Sequence, residues 1–257
     1  MNVLVTGGTG ALGREVVIAL RTSGHRARIL SRNSGAGADW VQGDVATGAG
    51  LDRALTDVEA VVHAASAATE PWKINAVDVG GTRKLLEAAA RAHIRHVVYI
   101  SIVGMEGVAY PYYRAKLAAE QVVRKDIVPW SILRATQFHT LMEFFLGAFS
   151  RLPRLATIPR AWQFQPVDTR DVAARLVEVV SSEPAGMLPD FGGPEVRRFD
   201  SLAESWIKAR RLKKRIVNLP IPFTFGRQFA EGRVLTPDHR DGTTTFEQYL
   251  IRKYGNW

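Results

Sequence analysis

Residues 1–14 read MNVLVTGGTGALGR, an apolar run, a glycine-rich turn and the start of a helical pattern. Asn2, Val3, Leu4 and Val5 form a candidate buried strand. Gly7, Gly10 and Gly13 follow at three-residue spacing, and the periodic run Val16, Val17, Leu20 comes directly after them. That order predicts strand, tight turn and helix. Gly7 permits the turn, Gly10 lets backbone N–H groups approach a pyrophosphate at the helix N-terminus, and Gly13 lets helix and strand pack closely. The expected ligand is a dinucleotide held by Gly7, Thr9, Gly10, Ala11, Leu12 and Gly13. A bare glycine turn is the rival reading, and the place of the motif between a strand and a helix argues against it.

Outward from this motif, strand-like and helix-like segments alternate. Strands are expected near Asn2 to Val5, Arg26 to Leu30, Trp40 to Gln42, Ala60 to His63, His96 to Ser101, Trp130 to Leu133 and Met187 to Phe191. Helices are expected over Ala11 to Ser23, Leu51 to Leu55, Trp72 to Ala92, Tyr112 to Lys125 and Asp171 to Ser181. The fold class is therefore α/β, a Rossmann-type doubly wound parallel sheet. With 257 residues and 46% hydrophobic content the chain suits a single NAD(P)-binding domain over 1–257. Residues 138–165 and 184–257 break the rhythm and are expected to add a smaller C-terminal, substrate-side lobe.

Composition excludes several chemistries. Cysteine is absent, which removes disulfides, thiolate metal ligands and a thiol nucleophile together. The six histidines show no metal-site spacing, so no metal is expected. The first strand begins without a charged leader region, no apolar run reaches spanning length, and a cytoplasmic protein without a membrane partner is expected. The net charge of +9 admits a nucleic-acid footprint or a site for an anionic cofactor. Apart from Arg210, Arg211, Lys213, Lys214 and Arg215 the bases are scattered, which favours the cofactor. The partners expected are a small-molecule substrate and, as an option, a second copy or a regulatory protein.

The second strand bears on the choice of nucleotide. An NAD enzyme of this architecture places Asp or Glu after it to accept from the ribose hydroxyls. From Val16 to Ala38 no acidic residue occurs, and the strand runs into Ser31, Arg32 and Asn33. A guanidinium there pairs with a 2′-phosphate, so NADP(H) is preferred over NAD(H). The rival reading makes Arg32 a solvated loop charge. After the fourth strand, Ala64, Ala65 and Ser66 are small enough to leave room for the cofactor's ribose and phosphates.

TGGTGALG, the turn Gly43-Asp44-Val45, His63-Ala64-Ala65-Ser66, NAVDVGGT at 75–82 and YYRAK at 112–116 together resemble the short-chain dehydrogenase/reductase superfamily. ISIVG, YYRAKLAAE, ILRATQFH, PVDTRDVA and FGGPE resemble its atypical, NmrA-like NAD(P)H-binding branch over nearly the whole chain. The resemblance implies that Asp44 accepts the adenine amino group while Val45 covers its face. It also implies catalysis by Tyr112 and Lys116, which keep the Y-x-x-x-K spacing and so share one helix face. A phenol with reference pKa of about 10 is a poor acid at neutral pH, and a nearby ammonium favours its ionised form. Lys116 also holds the nicotinamide ribose in this scheme, and Tyr113, one residue out of register, is read as packing or pocket wall. The rival reading makes Tyr112 an ordinary aromatic and Lys116 a ribose ligand only.

The third expected catalytic group, a hydroxyl after the fifth strand, is Ser101 or is missing, because Val103 stands where extended-type reductases often place it. Thr136 and Gln137 are expected near the carboxamide. His139, Met142 and Phe145 open an apolar segment read as a pocket roof, with core or dimer surface as the alternative. Asp168 and Asp171 fit helix capping. These residues lead to an NADPH-dependent oxidoreductase that delivers hydride to a small apolar quinone or carbonyl compound. The alternative is a non-catalytic NADP(H)-binding redox sensor acting through a protein partner, and nucleic-acid binding is a third, disfavoured reading.

Overall fold

The computed structural model describes residues 1–68 and 70–257. In chain order the elements are β1 (Asn2–Thr6), α1 (Ala11–Thr22), β2 (Arg26–Ser31), β3 (Trp40–Gln42), α2 (Leu51–Leu55), β4 (Ala60–His63), α3 (Thr82–Arg91), β5 (His96–Ile102), α4 (Pro111–Arg124) and β6 (Trp130–Ala135). They continue with α5 (His139–Phe149), β7 (Leu155–Ile158), β8 (Gln163–Phe164), α6 (Thr169–Val180), β9 (Gly186–Met187), β10 (Arg197–Arg198), α7 (Phe199–Ala209), β11 (Arg215–Asn218), α8 (Thr224–Ala230) and α9 (Phe246–Tyr254). The chain divides into two compact units.

The first unit comprises Met1–Ser101, Pro111–Arg134 and Val172–Pro189. Its seven-stranded sheet has the order β3-β2-β1-β4-β5-β6-β9, with β1 parallel to both β2 and β4. A parallel strand covered on both faces needs apolar side chains at every position, which is why VLV at 3–5 is fully buried. α1 turns Leu12, Val16, Val17 and Leu20 inward, as its period requires. The strand order reverses beside β1, between β2 and β4, and this switch point lies at the glycine turn.

Two expectations are corrected here. The single helix over Trp72 to Ala92 is instead a 3-10 turn (Pro71–Lys73), a π-helical segment (Asn75–Gly81) and α3. Gly81 allows this segment to press on the loop after β3, for a Cβ there would lie 3.1 Å from Val45 Cγ2. The last strand, expected over Met187 to Phe191, is cut to Gly186–Met187 because Pro189 has no N–H to continue the ladder.

The second unit comprises Ile102–Tyr110, Ala135–Asp171 and Asp190–Trp257. It therefore takes in a segment after β5 beyond the expected 138–165 and 184–257. β7 pairs in parallel with β11, and β8 antiparallel with β10. Trp162 stacks on Phe199 with centroids 6.2 Å apart, and Phe164 packs 5.4 Å from Phe199. Glu143 of α5 accepts from Trp206 Nε1, Tyr254 Oη, Tyr249 Oη and Lys253 Nζ, tying α7 and α9 to α5. α9 starts with a capping box in which Thr245 Oγ1 accepts from Gln248 N–H. No helix among the described residues is long and apolar enough to cross a membrane.

Candidate functional site

Gly7 ends β1 with φ of +69°, in the left-handed region, and a Cβ on it would lie 2.7 Å from the Ala64 carbonyl carbon. Gly13 meets the same turn from the helix side, where a Cβ would fall 2.1 Å from Gly7 O. Only glycine fits either place. Gly10 is the N-cap of α1; among the described residues no side chain caps this helix, and no acid sits in its first turn. A 12-residue helix with an uncapped, acid-free N-terminus is suited to a pyrophosphate.

A cleft of about 240 Å³ opens beside this turn, walled by Gly10, Ser31, Arg32, Asp44, Val45 and Ser66 among others. One Asp44 oxygen accepts from Ala46 N–H at 2.9 Å, which fixes the carboxylate at the cleft. Ser31 Oγ accepts from Asn33 N–H at 3.2 Å, and Gln42 Nε2 donates to Arg32 O. These bonds hold the loop backbone and leave the Arg32 side chain 62% exposed, with Nη1 4.0 Å from Glu70. Glu70 was not singled out by the sequence; its carboxyl is held below the usual range by a hydrogen bond from Lys73, with Arg32 a weaker influence. The residues present fit a dinucleotide, and Arg32 lines the cleft beside Glu70.

Tyr112 and Lys116 lie on α4 in the same unit. Lys116 is 3% exposed; Nζ donates to Ile100 O at 2.9 Å and stands 4.1 Å from the Tyr99 ring centroid. Burial pulls its pKa down to about 8, opposed by the negative charges of Asp78 and Glu120. Tyr112 is half-buried, with Oη 2.8 Å from Ser66 Oγ. Ser66 donates to Asp78 Oδ1 at 2.7 Å, and Ala67 N–H donates to Asp78 Oδ2 at 3.0 Å. Asp78 is 1% exposed and was not picked out as a site residue. Its place at the fourth position of NAVDVGGT was the available signal, hidden because a carboxylate in a helix-like stretch reads as surface. Tyr113, read from the sequence as packing or pocket wall, is buried.

His63 anchors this arrangement. Thr82 donates to Asp78 O, so its hydroxyl accepts from His63 Nε2–H at 2.9 Å, and Nδ1 accepts from Thr6 at 2.6 Å. The ring is neutral, its pKa lowered to about 3 by burial and by the charge of Lys116. Ser101 is also in this unit, buried at the end of β5.

Five expected site residues belong to the second unit; one of them, Gln137, is buried, with Nε2 donating to Val234 O at 3.4 Å. Thr136 donates to Gln165 O and accepts from Gly193 N–H, so its hydroxyl is engaged there. His139 is 1% exposed, bonded through Nε2 to Thr244 O at 3.0 Å and packed against Phe246 and Tyr249. Met142 is fully buried, and Phe145 half-buried beside Phe144. His139 and Met142 are thus core, since the apolar period of α5 that suggested a pocket roof also fills this interior. Asp168 caps α6 by accepting from Arg170 N–H, whereas Asp171 accepts from Thr243 and Thr244 N–H instead of capping. Among the described residues no group of His, Asp or Glu is arranged to hold a metal.

Comparison with known proteins agrees with this geometry. A family model described as NAD(P)H-binding matches residues 7–183. The chain is 34% identical over 205 residues to (4-alkanoyl-5-oxo-2,5-dihydrofuran-3-yl)methyl phosphate reductase of Streptomyces griseus, covering 75% of this chain and 68% of that protein. It is 29% identical over 242 residues to ceramide reductase of Caulobacter vibrioides, covering 86% and 74%. Its fold matches a short-chain dehydrogenase/reductase superfamily protein from Agrobacterium tumefaciens solved with NAD, at TM-score 0.74, 23% identity and coverage of 99% and 96%. The chain belongs to this NAD(P)H-binding family.

Proposed function

We propose that the protein uses NADPH in preference to NADH and reduces a small, largely apolar carbonyl or quinone compound. One observation carries this reading: Tyr112 and the buried ammonium of Lys116 share α4 in the same compact unit as the glycine cradle. The Streptomyces relative is a reductase, which supports a reduction here. Bound NADPH supplies the hydride. The protein's part is to hold and to donate. The N-terminus of α1 holds the pyrophosphate, Arg32 and Ser31 hold the 2′-phosphate, and Asp44 and Val45 hold the adenine. Lys116 favours the phenolate of Tyr112, so that the Tyr112 hydroxyl gives its proton to the acceptor oxygen as negative charge develops there. Val103, at the position the resemblance gives to a catalytic hydroxyl, favours a second reading, an NADP(H) binder that acts through a protein partner.

Calorimetric titration with NADPH and NADH, followed by a screen of quinones and carbonyls for NADPH oxidation, tests the proposal. NADPH is expected to bind at least ~10-fold more tightly, and Arg32→Ala to remove most of that margin, the scale of one exposed charge-assisted contact. Equal affinity for the two cofactors contradicts the preference. NADPH binding without oxidation by any acceptor leaves the binder reading in its place.

A further inference from the structure

Asp78 has a buried carboxylate that no expected role uses. Both its oxygens are engaged on the loop after β4, by Ser66 Oγ at 2.7 Å and by Ala67 N–H at 3.0 Å. The π-helical segment carries Asp78 to this loop, and Thr82, bonded to His63, holds its main-chain carbonyl. A carboxylate accepts only, so the Ser66 proton points to Asp78. The Ser66 oxygen is then left to accept from Tyr112 Oη, 2.8 Å away. The result is a directed chain, Tyr112 to Ser66 to Asp78, within one unit. Ser66 is itself exposed, and the position expected to provide a third hydroxyl holds Val103.

We propose that Ser66 and Asp78 are positioning residues for Tyr112, Asp78 orienting the Ser66 hydroxyl and Ser66 holding the reacting phenol. This rests on the reductase reading of the same site. In the reduction the Tyr112 O–H bond breaks and the acceptor's O–H bond forms, the electron pair of the carbonyl π bond going to that oxygen as hydride reaches carbon. The Ser66 hydroxyl then turns from Asp78 to the phenolate oxygen, until water returns the proton. Neither Ser66 nor Asp78 is oxidised or reduced. Lys116 on the same helix, Tyr99 on β5 and Tyr113, whose ring lies 6.2 Å from that of Tyr112, stay in place in the variants below.

The test follows ionisation of Tyr112 by NMR in cofactor-free protein labelled at the tyrosine ζ carbon, the signal being assigned by its loss in Tyr112→Phe. Ser66→Ala removes the acceptor that holds the Tyr112 proton, and is expected to lower the Tyr112 pKa by about one unit, a Ser66→Thr variant restoring it. Asp78→Asn is expected to lower it as well, because the carboxamide donates to Ser66 and turns the Ser66 proton toward Tyr112 while one negative charge is lost. In the Ser66→Ala background Asp78→Asn is expected to shift it less, since the link through Ser66 is already broken. An unchanged or raised pKa in Ser66→Ala, or an equal Asp78→Asn shift in both backgrounds, overturns the proposal. Turnover at saturating NADPH is expected to fall ~10-fold in Ser66→Ala. If wild-type protein binds NADPH but none of the acceptors oxidises it, the reductase reading fails, and the ionisation measurements still decide whether the chain exists.

Discussion

Tyr112→Phe is expected to lower turnover by ~10²- to 10⁴-fold on any acceptor that the wild type reduces, with NADPH affinity unchanged. Phenylalanine keeps the ring that packs 6.2 Å from Tyr113, so α4 is undisturbed. What it lacks is the proton and the bond to Ser66. Lys116 keeps its bond to Ile100 O and its place against the Tyr99 ring. A variant that binds normally but stalls in turnover therefore isolates the acid step. Steady-state rates together with a fluorescence titration of NADPH measure the two separately. Turnover within threefold of wild type would remove Tyr112 from the chemistry.

Acidification is expected to destabilise the protein through His63. Its imidazole is fully buried, with both nitrogens engaged and a folded pKa of about 3 against an ordinary 6.5. The unfolded chain binds this proton first as pH falls, so the native state loses stability from pH 6.5 downward until the folded group titrates. At ~1.4 kcal/mol per unit this is roughly 2 kcal/mol by pH 5 and about 5 kcal/mol near pH 3. Denaturant midpoints of wild type and His63→Gln, compared between pH 7 and 5, check it. The variant is expected to start less stable and to show a flatter pH dependence, with the slopes of the buried His96 and His139 still present. Parallel curves for the two proteins would contradict the assignment.

The half of the molecule that holds the cradle was legible because parallel strands buried on both faces announce themselves as apolar runs. Trp40–Gln42 and Ala60–His63 fall where they were expected, as does the helix Leu51–Leu55. The strands β7, β8, β10 and β11 left no such trace. Each has two to four residues, and β7 pairs with β11 some 60 positions away, too short and too distant for any period to show. Within the site, glycine spacing and the Tyr112–Lys116 interval are local and could be read directly. The Ser66–Asp78 bond spans 12 positions and depends on a π-helical segment that amphipathic patterning rendered as ordinary helix. His139 shows the converse. An apolar segment after β6 reads equally well as pocket wall or as core, and the structure buries His139 and Met142 while leaving Phe144 exposed.

Transfer of deuterium from NADPH carrying deuterium at both C4 positions to a carbonyl acceptor, followed by mass spectrometry of the product, tests the central claim most directly. The account predicts one deuterium on the former carbonyl carbon, and product formation reduced ~10²-fold or more in Tyr112→Phe. Tight NADPH binding with no label in any carbonyl product would contradict hydride delivery to a carbonyl acceptor at this site.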